Sequence, residues 1–432
     1  MPRIVVRDFG PIKNVDLVLK PITVFIGPQS SGKSTLAKII SFCSWLEKDI
    51  VCRQSTAHVN LDFVKEQLLE FHKMNNYTRN SSYISYTSDI IDFICDFKAV
   101  SVSNTPEMRG AYNGKIAYIP SERNVINLPG IQSLPFKRNN IRSFIFEWFR
   151  SHSVYNKENG VDLIGLNARY FYDDSLKLDV IEMEDGSVIP MEDVSSGLQS
   201  LVPLYVYLKY VTEWVFNNDI DISFEKREIL ERSIALRYAD LVLKESQNVT
   251  DEEYRQMAEK ENYRKIISDF YTNVQEIKSR SDIDNAEDAK VLKPYIDIDN
   301  SLMKLHYVKV IIEEPEQNLY TETQSKLVRG IFKLINQDRD SLVMTTHSPY
   351  VLSTLNNLIY AHKVAQNHHD EVESLIASDI WVDYDKVGAY YLKDGVLHSM
   401  MDDELRQLKA EMIDGISTDL NCEYDRLFDI EG

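Results

Sequence analysis

Short apolar bursts broken by Gly and Pro open the chain. RIVVRD, NVDLVL and ITVFIG, separated by Gly-Pro and Lys-Pro breaks, predict three strands within the first thirty residues. ITVFIG runs into GPQSSGKSTLAKIISFCSWLEKD. There Leu36, Ile39, Ile40, Phe42 and Cys43 recur at helical spacing and predict a helix with one buried side. Residues 50 to 110 are polar, aromatic and hard to assign, and mixed helices are expected there. KIAYIPSER is a short strand ending at a turn. RYFYDD, LKLDVIEM and SVIPM read as antiparallel β structure, with Glu184-Asp185-Gly186-Ser187 as a hairpin turn. DVSSGLQSLVPLYVYLKYVTEW then begins a helix for which Asp193 or Ser195 is available as a cap.

Residues 219 to 300 change character: dense in charge, poor in Gly and Pro, and helical in spacing. REILERSIALRYADLVLKE and DEEYRQMAEKENYRKIISDFYTNVQEIK keep no heptad register long enough for a coiled coil, so a helical insertion is expected. The α/β pattern then resumes with strand YVKVII, helix TETQSKLVRGIFKLI, strand SLVMTT and helix PYVLSTL. ASDIWVDYD reads as a strand and turn. VGAYYLK and VLHSM flank Asp394-Gly395 as a strand pair, followed by one or two helices. The fold class predicted is α/β, with a mixed β-sheet core, an antiparallel β subdomain and a helical insertion. Residues 1–215, with a variable segment at 50–114, and 305–432 form the two parts of one domain; residues 216–304 form the insertion.

Lys and Arg number 48 against 67 Asp and Glu, a net charge of −19. So acidic a chain is not built for general attraction to nucleic acid or anionic lipid. FKRNNIR, with Lys137, Arg138 and Arg142, is the best candidate for a local basic groove and otherwise a solvated loop. No run has the length of apolar residues needed to cross a membrane, and MPRIVVRDFG lacks the layout of a signal peptide. Cys43, Cys52, Cys95 and Cys422 are scattered without a C-x-x-C pair, which fits a reducing cytosol and argues against a disulfide framework or zinc site.

Four stretches carry chemistry. GPQSSGKS, Gly27 to Ser34, matches G-x-x-x-x-G-K-[ST] in full, between a predicted strand and a predicted helix. Its glycines let backbone N–H groups wrap phosphates, and the helix offers its positive end. Lys33 then neutralises the β- and γ-phosphates and Ser34 gives its hydroxyl to Mg²⁺. In KVIIEEPEQNLY, Glu313, Glu314 and Glu316 crowd the end of a buried strand. Buried carboxylates are costly unless a cation meets them, and Mg²⁺ is a hard cation that favours carboxylate and phosphate oxygens. Glu313 is placed to hold Mg²⁺, and Glu314 to act as base or water-positioning group near the γ-phosphate. In THSPY, His347 follows strand SLVMTT and can hydrogen-bond the γ-phosphate. VSSGLQS is a small turn opening a helix, a second anion site through Ser195 and the N–H of Gly197. One nucleotide needs one such loop, so the spare turn points to the nucleotide of another copy.

The order of phosphate loop, S-S-G-x-Q, acid pair and histidine resembles that of ATP-binding-cassette (ABC) ATPases. FIGPQSSGKSTLAKII, YIPSERNV, VSSGLQSLVPL, IIEEPEQNLY and TTHSPYVL are similar to the soluble, non-transporter branch related to OLD-type and SMC- or Rad50-like proteins. The likeness covers residues 1 to about 50, 115 to 215 and 305 to 400. It implies an ABC-type ATPase head in which Gly27, Pro28, Gln29, Ser30, Ser31, Gly32, Lys33, Ser34 and Thr35 bind ATP. Ser34 and Glu313 hold Mg²⁺, and Glu314 and His347 serve hydrolysis. Ser195, Ser196 and Gly197 close the ATP of a second copy in a head-to-tail homodimer, itself part of a higher even-numbered oligomer. Glu313 stands where transporters and many SMC proteins carry Asp, and Ser196-Gly197 where the usual signature has two glycines; both are variants found in this branch. Glu122 or Arg123 is expected near the nucleotide.

Several relatives of this type carry a TOPRIM nuclease. The residues after His347 contain no V-E-G-x-x-D segment, so no intrinsic nuclease is expected. The chain looks most similar to ATPase subunits of antiphage systems such as PARIS and Septu, in which a separate nuclease or toxin is the effector. That implies a cytoplasmic sensor and scaffold. A RecF- or Rad50-type ATPase acting on DNA stays open as the alternative, as do a transporter subunit and a structural protein with an inactive site.

Overall fold

The computed structural model describes residues 1–128, 130–131, 137–218, 222–247, 272, 286–409 and 425. Strands β1 (Arg3–Phe9), β2 (Ile12–Val18) and β3 (Ile22–Ile26) precede helix α1 (Lys33–Arg53). β4 (Tyr83–Thr87), β5 (Ile91–Cys95), β6 (Val100–Asn104) and β7 (Lys115–Ile119) follow, then α2 (Asn140–His152). β8 (Val161–Leu163), β9 (Ala168–Asp173), β10 (Leu178–Met183) and β11 (Val188–Pro190) form a separate antiparallel sheet ahead of α3 (Ser196–Lys209). The described part of the insertion is helical, α4 (Phe224–Gln247) and α5 (Ala286–Met303). β12 (Val308–Glu313), α6 (Thr321–Leu334), β13 (Ser341–Thr346), α7 (Pro349–Ala365), β14 (Val387–Lys393) and β15 (Val396–Ser399) complete the α/β part.

The main sheet has eleven strands in the order β6-β5-β4-β1-β2-β15-β14-β3-β13-β12-β7. From β14 to β7 every pairing is parallel, and β1, β2, β4, β5 and β6 form an antiparallel wing. Parallel strands buried on both faces read as apolar runs. β3 shows why: Ile22, Val24 and Ile26 enter one core and Phe25 the other. In β12, Val308, Val310 and Ile312 likewise oppose Ile311. The fold is of the α/β class expected, with a mixed sheet and a separate antiparallel subdomain.

Three expectations are corrected. Residues 83 to 104 are not helical but form β4, β5 and β6, extending the sheet beyond β1. Each is a short alternating strand; the inward residues of β4 and β5, Ile84, Tyr86, Ile91, Phe93 and Cys95, are fully buried, and Val100 and Val102 of β6 are partly so. Helix α1 is not buried on one side only; Leu36, Ala37, Ile39, Ile40, Phe42, Cys43 and Leu46 surround its axis, because it lies under the sheet and beneath α4. ASDIWVDYD holds no strand and makes single 3₁₀ turns at Ser378–Ile380 and Tyr384–Lys386. The helices expected after VLHSM, the segment DEEYRQMAEKENYRKIISDFYTNVQEIK and Cys422 lie outside the described residues. Cys43, Cys52 and Cys95 are buried free thiols. Among the described residues no helix is long and apolar enough to cross a membrane.

Candidate functional site

β13 lies between β3 and β12, all three parallel. The loops leaving their C-terminal ends therefore emerge side by side, the place where parallel α/β sheets hold ligands. Gly27 to Gly32 leave β3, Glu313 ends β12, and His347 follows β13. The sheet order alone brings together residues more than three hundred positions apart.

The loop after β3 needs its glycines for different reasons. A Cβ on Gly27 would collide with the carbonyl oxygen of Leu392 in β14. Gly32 caps α1 at φ 108°, a left-handed conformation costly for other residues. Pro28, Gln29 and Ser30 are exposed at the crest, Ser34 is half-buried, and Thr35 faces the core. Lys33 is 4 % exposed, and its ammonium donates to the Gly27 and Pro28 carbonyls at 2.8 Å each. Its Nζ also lies 3.5 Å from His347 Nδ1. Burial pushes the Lys33 ammonium down to about 8, with Glu314 and Glu316 pulling it back up.

Glu313 and Glu314 differ sharply in surroundings. The Glu313 carboxylate is buried and accepts from Tyr118 Oη at 2.6 Å and Ser121 Oγ at 3.4 Å. Desolvation raises its pKa, against the attraction of Lys38. Glu314 turns out of the strand at φ 44°, in the left-handed region, pinned by its N–H to the Thr345 carbonyl at 2.9 Å. Its Oε1 lies 3.4 Å from His347 Nε2. That hydrogen bond holds the Glu314 carboxyl below the ordinary carboxylate range, against the opposing effect of burial. Glu316 Oε1 accepts the His347 backbone N–H at 2.6 Å and so fixes the turn after β13.

Lys33, Glu314 and His347 thus form one chain of contacts. Glu313 lies behind it, with hydroxyl donors but no ion-pair partner among the described residues. A buried carboxylate with no cation in ion-pair contact, on the strand packed against the helix that carries Ser34, offers hard oxygens that fit Mg²⁺. Among the described residues no group of three or more His, Cys, Asp and Glu side chains could hold a metal. Such an ion would draw the rest of its ligands from hydroxyl, phosphate or water oxygens.

Ser195 caps α3, its Oγ accepting the Leu198 N–H at 3.5 Å. Ser195 and Ser196 are exposed, Gly197 lies close to the Asn318 carbonyl, and no described hydrogen bond joins this turn to Gly27–Thr35. The structure brings the first three stretches together and leaves the fourth on the surface.

Arg123 was expected near the nucleotide; it lies fully buried behind the acid turn. It donates to the carbonyls of Glu313 (3.0 Å), Glu314 (2.9 Å), Pro315 (3.3 Å) and Pro120 (3.3 Å), and to Ser200 in α3 (2.9 Å). Glu122 beside it is exposed. The supporting roles of Tyr118 and Arg123 escaped sequence reading, although both stand in the KIAYIPSER stretch already marked as strand and turn. In FKRNNIR, Arg138 pairs with Glu66 at 2.9 Å and Arg142 lies over the Phe146 ring.

A family model described as an AAA ATPase domain matches residues 299–352, the segment that contains Glu313, Glu314 and His347. No curated protein matches the chain. Among solved structures, the SMC head domain from Thermotoga maritima is 10% identical over 92% of this chain and 97% of that one, with a TM-score of 0.35. The recombination mediator RecF of the RecFOR pathway is 10% identical over 92% and 97%, with a TM-score of 0.30. A dimeric ATP-binding cassette in a post-hydrolysis state with ADP and Pi is 12% identical over 92% and 97%, with a TM-score of 0.27.

Proposed function

We propose that the chain is an ABC/SMC-like ATPase that binds ATP with Mg²⁺ and hydrolyses it to ADP and phosphate. The observation that carries this reading is the meeting of Lys33 and Glu314 at His347, 3.5 Å and 3.4 Å from its two ring nitrogens, at the ends of adjacent parallel strands. Gly27 to Thr35 wrap the phosphates with backbone N–H groups, and Lys33 exchanges its loop carbonyls for phosphate oxygens. Ser34 and Glu313 would hold Mg²⁺, which when bound supplies charge neutralisation to the phosphates. Glu314, kept ionised by His347, accepts a hydrogen bond from the attacking water and orients it. His347 is within reach of both Lys33 and Glu314, and so responds to the γ-phosphate between them.

Ser195, Ser196 and Gly197 serve a second copy. An exposed helix N-terminus is suited to an anion, and no described hydrogen bond joins this one to the phosphate loop of its own chain. Two copies arranged head to tail complete two sites, and higher even-numbered assemblies build on that pair. ATP-driven closure then controls a separate nuclease or toxin, the role supported by the sequence resemblance to antiphage ATPase subunits. A DNA-acting ATPase of RecF or Rad50 type is the alternative reading; the −19 net charge counts against general attraction to nucleic acid but not against a local contact.

Glu314→Gln tests the reading. Turnover should fall at least about a hundredfold, the scale of a lost general base, while ATP binding persists. In ATP and Mg²⁺ the variant should sediment as a stable dimer. Turnover within a few-fold of the parent would remove Glu314 from the mechanism.

A further inference from the structure

A second cavity, of about 390 Å³, lies away from the phosphate loop. Its walls are the C-terminal half of α1, the edge strand β7, α2 and the start of α4. Cavities of roughly 300–1,000 Å³ hold small organic ligands. The charge here is the reverse of the molecule's. Lys48, Lys115, Arg138, Arg150 and Lys226 line it against Glu147. Lys115 is paired with Glu147 at 2.5 Å, and Arg138 with Glu66. Lys48, Arg150 and Lys226 have no ion-pair partner among the described residues. Burial and then the neighbouring Lys226 push the Lys48 ammonium down to about 8. These cations outnumber the one carboxylate, Glu147, with Arg150 and Lys226 reaching the cavity from exposed positions, and an anion relieves their mutual repulsion.

Two further features concern what else the cavity takes. His72 and Asn140, 2% and 4% exposed, line it, and His72 Nδ1 and Asn140 Oδ1 have no hydrogen-bond partner among the described residues. Buried polar atoms are normally satisfied, so these two favour a polar occupant. His72 is neutral, its ring pushed down to about 3 by burial and then by Lys38, and can donate or accept. Trp45, Phe71, Phe144 and Tyr207 supply aromatic walls. Rings beside cations suit a ligand with a flat aromatic part and a phosphate. A lone phosphate would leave most of the space and the rings unused.

We propose that this cavity is a binding site for a nucleoside monophosphate, with Lys48, Arg150 and Lys226 taking the phosphate and the aromatic walls taking the base. It is separate from the ATP site, and Lys33 is not part of it.

The test is calorimetric titration of full-length Lys33→Ala protein, in which the phosphate loop is disabled, with AMP, GMP, CMP, UMP, inorganic phosphate and adenosine. At least one monophosphate should bind with a stoichiometry of one and at least about tenfold more tightly than phosphate or adenosine. Adding Lys48→Met and Lys226→Met should weaken it at least about tenfold. The melting midpoint of that triple variant without ligand should equal or exceed that of Lys33→Ala, since a repulsion is removed; this separates lost binding from lost folding. Absence of binding by all four monophosphates overturns the proposal. So does phosphate binding as tightly as the nucleotides, or an affinity that the two methionines leave unchanged. None of these outcomes depends on hydrolysis, so the ATPase reading stands or falls separately on Glu314→Gln.

Discussion

Arg123 is a charged side chain with no exposed surface, bonded to carbonyls instead of a carboxylate. Desolvation pushes its guanidinium down to about 10, with Glu316, Glu314 and Glu313 pulling it back up. Only a planar fork of donors reaches Ser200 on one side and the Glu313–Pro315 turn on the other. It thereby holds Glu314 in a backbone conformation that costs roughly 1–2 kcal/mol in a non-glycine residue. Lysine keeps the charge but cannot serve the same set of carbonyls. Arg123→Lys should lower unfolding stability by about 2 kcal/mol, the scale of buried hydrogen bonds left unmade to a charged group. It should also cut turnover more than ATP affinity, because what it releases is the turn that aims Glu314. Equal denaturation midpoints and equal turnover would show that the fork is dispensable.

Among elements, the strands and helices nearest the chemistry were the most legible. β3, β13 and α6 fall where the apolar runs place them, since strands buried on both faces leave unbroken Val, Ile and Leu stretches between Gly and polar turns. What adjoins them was hidden. β4, β5 and β6 are only five residues each, too short for their alternation of inward apolar and outward polar side chains (Ser85, Asp92, Ser101, Ser103) to stand out within a polar, aromatic stretch. The acid pair and histidine could be named from sequence, but the meeting of Glu314 Oε1 with His347 Nε2 depends on strand order, which no local pattern encodes. Gly27 shows the same dependence. Its motif role was read as phosphate wrapping, yet β14 also requires it, because the Leu392 carbonyl occupies the place of a Cβ. Gly27→Ala must push β3 and β14 apart. Its melting midpoint should fall and nucleotide binding should be lost together; a variant that keeps its midpoint while losing nucleotide would confine the glycine's role to the loop.

At the scale of the whole molecule, the separation of the α3 turn from the phosphate loop gives a test by mixing. Lys33→Ala and Ser195→Arg should each be inactive alone. If the turn serves the partner copy, half of the dimers in an equal mixture are mixed and carry one intact composite site, which restores roughly a quarter of parental turnover. Turnover that stays at zero on mixing, with dimers exchanging, would place the turn in service of its own chain. The two proposed sites also share a wall. The Tyr118 ring lines the cationic cavity, while its hydroxyl donates to Glu313 Oε1 at 2.6 Å. One phenol therefore spans two compartments, and a guest that displaces the ring in one withdraws a donor from the carboxylate in the other. Linked equilibria are reciprocal: whatever factor a cavity ligand imposes on the ion affinity at Glu313, the ion imposes the same factor on that ligand. The chain would then weigh two nucleotide pools against each other through a single oxygen.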